Sequence, residues 1–137
     1  MLLLVCLSQN ITAQERYNGF DPQKFEIDLQ QFIIKQVHLT PQESTKFFPL
    51  YSEMRTKQRV VFLRDRENRF VNPNDAKACE RAIKNHDANE LELKKIQQTY
   101  HAKFMKVLPA NKVYQVIRAE DAFHRQAFRR AVNKHKR

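Results

Sequence analysis

Glycine is almost missing from this chain: Gly19 is the only one among 137 residues. Tight β-hairpin turns, Gly-rich phosphate loops and dinucleotide fingerprints all depend on glycine's access to positive φ and close backbone approach. Sheet architectures and nucleotide-binding folds are therefore not expected. Proline is scarce too, with five residues at wide intervals, which leaves long stretches free to run as helix. Residues 1 to 13 contain no charged side chain at all. Catalytic signatures are missing as well: there is no G-x-S-x-G elbow, HExxH pair or phosphate-binding loop, and neither cysteine has a histidine at a telling spacing. A small-molecule substrate, a cofactor and an enzymatic role are not expected.

What the first residues do contain is an apolar run, MLLLVCL, followed by small and polar residues up to Ala13. That pattern reads as a secretory signal peptide over residues 1–13, cleaved near Ala13, with residues 14–21 as a leader. The run is too short to span a bilayer. Cys6 does not fit a lipid attachment site, because Val5 stands where a small residue is required, so a lipoprotein is not expected. The triplet Asn10-Ile11-Thr12 matches a glycosylation acceptor but falls in the segment to be removed. Cleavage leaves Cys79 as the one thiol, unable to close an internal disulfide and either buried or open to an intermolecular bond.

Lysine and arginine number 25 against 15 aspartates and glutamates, a formal net charge of +10 carried entirely beyond residue 13. A periplasmic protein of this charge meets lipid headgroups, anionic polymers and acidic or unfolded proteins, and nucleic acid is not an expected partner. The length and the 42% hydrophobic content match one domain with a modest core, over residues 22–137.

Periodicity divides that domain into four helices. Asp21 and Pro22 open the first, which runs to about residue 38 with Phe25, Leu29, Phe32 and Gln36 on one face and Ile27 and Ile34 opposite. At Leu39-Thr40-Pro41-Gln42-Glu43, Thr40 is placed as N-cap, Pro41 at the first helical position and Glu43 as the partner of a capping box. The second helix continues to about residue 68 with Phe47, Leu50, Tyr51, Met54, Val61 and Phe62 inward, and Pro49 as a source of bending. Asn72-Pro73-Asn74 is a turn, after which helix three runs from about 75 to 107 on a stripe of Cys79, Ala82, Ile83, His86, Leu93, Tyr100 and Phe104. Leu108 and Pro109 break and restart the chain as the expected capping pair of helix four, with Pro109 in its first turn, and helix four carries Val113, Val116, Ile117, Phe123, Ala127, Phe128 and Ala131 on one side. The expected fold is all-α, four helices in two elongated hairpins. Thin hairpins leave apolar surface uncovered, so a dimer is expected.

The two corners, Leu39-Thr40-Pro41-Gln42-Glu43 and Leu108-Pro109-Ala110-Asn111-Lys112, together with the export signal and the cationic helical chain, resemble the periplasmic Spy/CpxP family with its paired LTxxQ motifs. Leu39 and Thr40 match the first motif, with Glu43 at the glutamine position. Leu108 matches the second, with Pro109 at the threonine position and Lys112 at the glutamine position. The resemblance implies an intertwined, cradle-like helical homodimer acting as an ATP-independent chaperone, or in a stress response through a membrane sensor or metal.

Two groups of side chains stand out as candidate sites. On helix two, Phe48, Arg55, Arg59, Leu63 and Arg66 fall within about a quarter-turn of one another, away from the inward stripe. Alternating apolar and cationic groups suit weak, sequence-tolerant capture of unfolded or acidic clients; the same face also suits a dimer interface. His86 with Glu90, and Glu120 with His124, are i,i+4 pairs that would make a transition-metal site if they met. The plainer expectation for them is hydrogen-bonded polar positions. Glu90 and Glu120 are also inward carboxylates of the kind that acid-base work uses, but no pocket is expected beside them.

Overall fold

The computed structural model describes residues 21–136. The expected signal peptide, the leader up to residue 20, Cys6 and Gly19 lie outside the described residues. Four α-helices follow in order: α1 Pro22–Val37, α2 Pro41–Arg66, α3 Ala76–Phe104 and α4 Ala110–Lys134, with a 3₁₀ turn at Glu67–Phe70 after α2. No strand occurs among the described residues, so the chain is all-α.

Three of the four helices begin where the sequence supplies side-chain acceptors for their unpaired first N–H groups. Asp21 Oδ1 accepts from the N–H of Gln23 and of Lys24 at 3.0 and 3.2 Å. The capping box at Thr40 is complete: Thr40 Oγ1 accepts from Glu43 N–H at 3.1 Å, and Glu43 Oε2 accepts from Thr40 N–H at 2.9 Å. Asp75 Oδ1 caps α3 through Ala78 N–H at 3.0 Å. At the second corner the expected capping pair needs correction. Pro109 occupies the N-cap of α4, not its first turn, and makes no side-chain cap because proline has no polar side-chain atom. Leu108 is no cap either; it is 3% exposed and belongs to the core. α1 ends in a left-handed residue, His38 with φ 55°, and both His38 N–H and Leu39 N–H point back to the Ile34 carbonyl. The Leu39 bond is the long one of a Schellman ending and the His38 bond that of an αL ending, and both endings are usually given to glycine.

The expectation of two hairpins, each turning at one of the corners, is corrected here: the helices pair in a nested way. α2 and α3 pack along each other as a true hairpin, while α1 and α4, which are not consecutive, pair with each other. Phe25 and Phe32 of α1 meet Phe123 of α4 with ring centroids 5.2 and 5.4 Å apart. Both corners sit at the same end, and from there the α1–α4 layer folds back over the α2–α3 hairpin. Between the layers lie Leu29, Ile33 and Val37 from α1, Phe47, Tyr51 and Met54 from α2, Tyr100 and Phe104 from α3, and Val113, Val116 and Ala119 from α4, closed at the corner by Leu39 and Leu108. Phe47 and Phe104 are the closest aromatic pair across the hairpin at 4.8 Å.

The layers differ in length, and that decides what is left uncovered. α1 has 16 residues and α2 has 26, about 24 and 39 Å at the helical rise. The distal part of the hairpin therefore projects past the start of α1 by on the order of 15 Å. Phe62 and Ile83, expected inward, are 51% and 63% exposed there, and His86 is exposed as well. Phe128, expected on the packed side of α4, is 71% exposed for the matching reason that α1 does not reach it. Where the apolar core ends, two buried polar residues appear, Gln58 and Asn89. Asn89 joins Asp65, Asn68 and Arg64 in hydrogen bonds of 2.9 to 3.0 Å, whereas Gln58 Oε1 has no hydrogen-bond partner among the described residues.

A left-handed non-glycine residue costs roughly 1–2 kcal/mol, partly offset by the extra chain entropy glycine loses on folding. His38 is exposed, so His38→Gly is expected to raise stability by about 1 kcal/mol, a few degrees in melting temperature by circular dichroism. A lower melting temperature would mean that the imidazole contributes a contact of its own.

Candidate functional site

The two corners meet. Lys112, one turn into α4, places its ammonium 2.6 and 2.8 Å from the two carboxylate oxygens of Glu43, whose Oε2 also closes the capping box on Thr40 N–H. The hydrogen bond from Lys112, followed by that from the Thr40 backbone, holds the Glu43 carboxyl below its ordinary value. The glutamine positions of the two motif-like stretches are thus filled by an acid and a base that face each other. Nothing in the sequence alone connects them.

A second polar cluster lies farther along α2, under the α1–α4 layer. Tyr51 donates its hydroxyl to Glu120 at 2.9 Å. Arg55 reaches Glu26 of α1 at 2.9 Å through Nη2 and at 3.3 Å through Nε, and approaches Glu120 of α4 at 3.9 Å. His124 stands 3.8 Å from Glu120, and Arg59 stands 3.9 Å from Glu26. Burial alone would raise the Glu120 carboxyl, but His124, the Tyr51 hydroxyl and the Arg55 charge outweigh it and hold the group below the ordinary glutamate value. Burial first and the Glu120 charge second push the Tyr51 phenol far up, so it stays a donor. Every member is engaged with another. The arrangement fastens two helices to a third, and at its outer edge Glu26 and Arg59 line an open pocket with Pro22, Gln23 and Ile27.

The candidate residues divide accordingly. Phe48 is half-buried, its ring 5.0 Å from Phe47 and 6.1 Å from Tyr51, and it packs against the core. The Arg55 side chain is 18% exposed within the cluster above. Arg59, Leu63 and Arg66 stay on open surface. The five therefore do not make one surface, because α1 covers Arg55, touches Arg59 through Glu26 at 3.9 Å and leaves Leu63 and Arg66 uncovered. In place of the covered pair the structure offers residues that periodicity had put inside or passed over: Phe62, Val60 at 60%, Phe70 at 82%, Ile83 and Leu91 at 65% exposure. Tyr51, Arg55, Phe62 and Arg66 recur at intervals of four, seven and four and so share one side of α2. The covered face and the open face are one stripe, divided by the length of α1. The unequal helix lengths were the signal in the sequence that could have found this.

The metal candidates do not converge. His86 turns to Asp65 of α2, with Nδ1 at 2.9 Å from Oδ2, while Glu90 is exposed. Glu120 is anchored at Tyr51, fourteen residues from Asp65 along the same helix, or about 21 Å. Among the described residues no group of three or more histidines, cysteines, aspartates or glutamates is gathered closely enough to hold a metal ion. Cys79 is half-buried with Sγ 3.4 Å from the Asn72 carbonyl oxygen. No described helix is long and apolar enough to cross a membrane.

The depressed Glu120 carboxyl fixes a pH dependence. A group whose folded value lies below its unfolded value, about 4.3 for glutamate, stabilises fully above that value and loses the contribution as pH falls through the folded value. Glu43 and Asp65 are shifted in the same direction, so the melting temperature is expected to fall steadily below about pH 5. Glu120→Gln is expected to cost about 2 kcal/mol at pH 7, between the values for exposed and fully buried pairs, and to flatten the acid limb of the melting curve. An unchanged acid limb would place the acid sensitivity elsewhere.

Comparison with family models, with curated proteins and with solved structures gives no match to this chain, and the functional reading therefore rests on its own geometry.

Proposed function

We propose that the chain is an exported, homodimeric protein-binding module that holds unfolded or acidic segments of other proteins on the open half of its α2–α3 hairpin. The observation that carries this reading is the outward display of Phe62, Leu63, Phe70 and Ile83, each more than half exposed, among the cations Arg59, Arg66 and Arg69. Apolar side chains arranged without a pocket give weak contact that tolerates many sequences, and arginines attract acidic segments from a distance and fork onto their carboxylates. The likeness of the two corners to the LTxxQ motifs agrees with this reading. So does the rigid core at the corner end, which presents the projecting half without needing to change shape itself. A homodimer in a cradle-like arrangement would place two such surfaces toward one client and multiply their weak contacts.

The test is suppression of aggregation of an acidic unfolded client by the purified protein. Phe62→Ser with Leu63→Ser is expected to reduce protection at every salt concentration, since apolar contact is not screened. Arg59→Gln with Arg66→Gln is expected to reduce it mainly at low salt, because exposed charges are screened beyond roughly 8 Å at physiological ionic strength. Both variants should keep wild-type helicity. If either sediments as a monomer where wild type is a dimer, that face is the dimer interface and the client surface is misplaced. If wild type gives no protection, the reading fails.

A further inference from the structure

The far end of α4 is built differently from the rest of the molecule. Phe25 meets Phe123 and His124, and past that contact α4 runs on to Lys134 with every residue but Ala127 exposed. Between Ala122 and Lys136 there are five basic residues, Arg125, Arg129, Arg130, Lys134 and Lys136, and no aspartate or glutamate. Elsewhere the described cations are often spent on acids, as with Arg55, Arg64 and Lys112. None of these five has an ion-pair partner among the described residues. Beside them lie two exposed apolar side chains, Phe128 and Val132, one turn apart and so on the same side of the helix, with Arg125 and Arg129 forming the adjacent row.

We propose that this end of α4 docks on an anionic lipid surface, lying along the headgroup layer with Phe128 and Val132 turned to the acyl boundary and the arginines reaching back to phosphates. A cluster of four to eight lysines and arginines on an amphipathic helix is the pattern anionic lipid selects, and an apolar row flanked by long cationic side chains is how such a helix seats itself. Among anionic partners the apolar row favours lipid. A nucleic-acid groove offers Val132 no apolar counterpart, and a charged row alone would serve there. The surface stands on a different helix from the open hairpin proposed to hold clients, and it would place that hairpin at a membrane without a spanning segment.

The experiment is co-sedimentation of the full chain with vesicles of phosphatidylglycerol and phosphatidylcholine mixed at several ratios. Binding is expected to rise with the phosphatidylglycerol fraction, to be absent on pure phosphatidylcholine and to weaken with salt. Arg125→Gln with Arg129→Gln and Arg130→Gln is expected to weaken binding by more than tenfold, whereas Lys46→Gln with Lys57→Gln and Lys95→Gln, which removes the same charge from exposed positions on the hairpin, should leave it within about twofold. Phe128→Ser is expected to weaken binding severalfold while keeping the salt dependence. Circular dichroism controls for helicity. Equal losses from the two charge sets would mean that net charge, not this helix end, drives association, and the proposal falls. It also falls if wild type ignores phosphatidylglycerol, or if a short DNA duplex displaces the vesicles and binds the Phe128→Ser variant as tightly as wild type. Vesicle binding is read without any client, so its loss and the loss of client protection are distinguishable.

Discussion

The contact between Glu43 and Lys112 joins two places 69 residues apart in the chain and holds both corners at one end of the molecule. Glu43 is fixed by its own helix, because its carboxylate closes the capping box on Thr40. Lys112 is fixed by the restart of α4 immediately before it. When the ammonium meets the carboxylate, both corners come to one end of the molecule and Leu39 and Leu108 turn inward together as the floor of the core. The ion pair is partly open to water and modest in energy, as such pairs are. Its importance is geometric: with both corners at one end, α1 and α4 have one way to lie, back along the hairpin, and their apolar faces then meet Phe47, Tyr51 and Phe104.

Once the corners are joined, unequal helix lengths divide the molecule into a packed half and an open one. The packed half is aromatic and aliphatic, with Tyr51 and Arg55 tied to Glu120 and Glu26 at its upper edge. Such a rim costs solvation for each charge it hides and recovers it only because each charge has partners. It therefore specifies how the layers are registered more than it stabilises them. Beyond it the hairpin has only its own two helices to bury, and polar residues take over its seam, with Asn89 held by Asp65 and Arg64. Val61 stays buried in that seam while Phe62, Leu63, Phe70 and Ile83 face outward, and the Phe62 side of the proposed binding surface continues the stripe of α2 that carries Tyr51 in the core.

The same logic explains the far end of α4. A helix that outruns its neighbour keeps its shape through its own hydrogen bonds but loses the cover for its side chains. On the hairpin this exposes Phe62 and Ile83 among both signs of charge; on α4 it exposes Phe128 and Val132 among cations alone. The difference in charge is what separates a surface suited to protein segments from one suited to an anionic bilayer.

Helix identity and most helix boundaries were legible in the sequence, because they depend on neighbours: Asp21, Thr40 with Glu43, and Asp75 cap the residues directly after them, and scarce glycine left few alternatives. Pro109 misled, since a proline marks a restart without supplying the polar atom a cap needs. Burial was legible only where a local stripe happened to find a partner. Leu29, Tyr51, Tyr100 and Val113 lie on such stripes and are buried, whereas Phe62, Ile83 and Phe128 continue the same stripes past the point where a second layer exists. Periodicity reports which side of a helix is apolar; whether anything covers that side depends on the lengths and pairing of other helices. For the same reason Arg55 reads as surface in the sequence and sits in an ion cluster in the structure, and His86 turns to Asp65 instead of Glu90. The sequence by itself determined four helices, three of them opened by side-chain caps, and a cationic chain. Only the tertiary structure decided that α2 pairs with α3 and α1 with α4, because that choice rests on contacts such as Glu43 with Lys112 whose partners are distant in the chain and close only after folding.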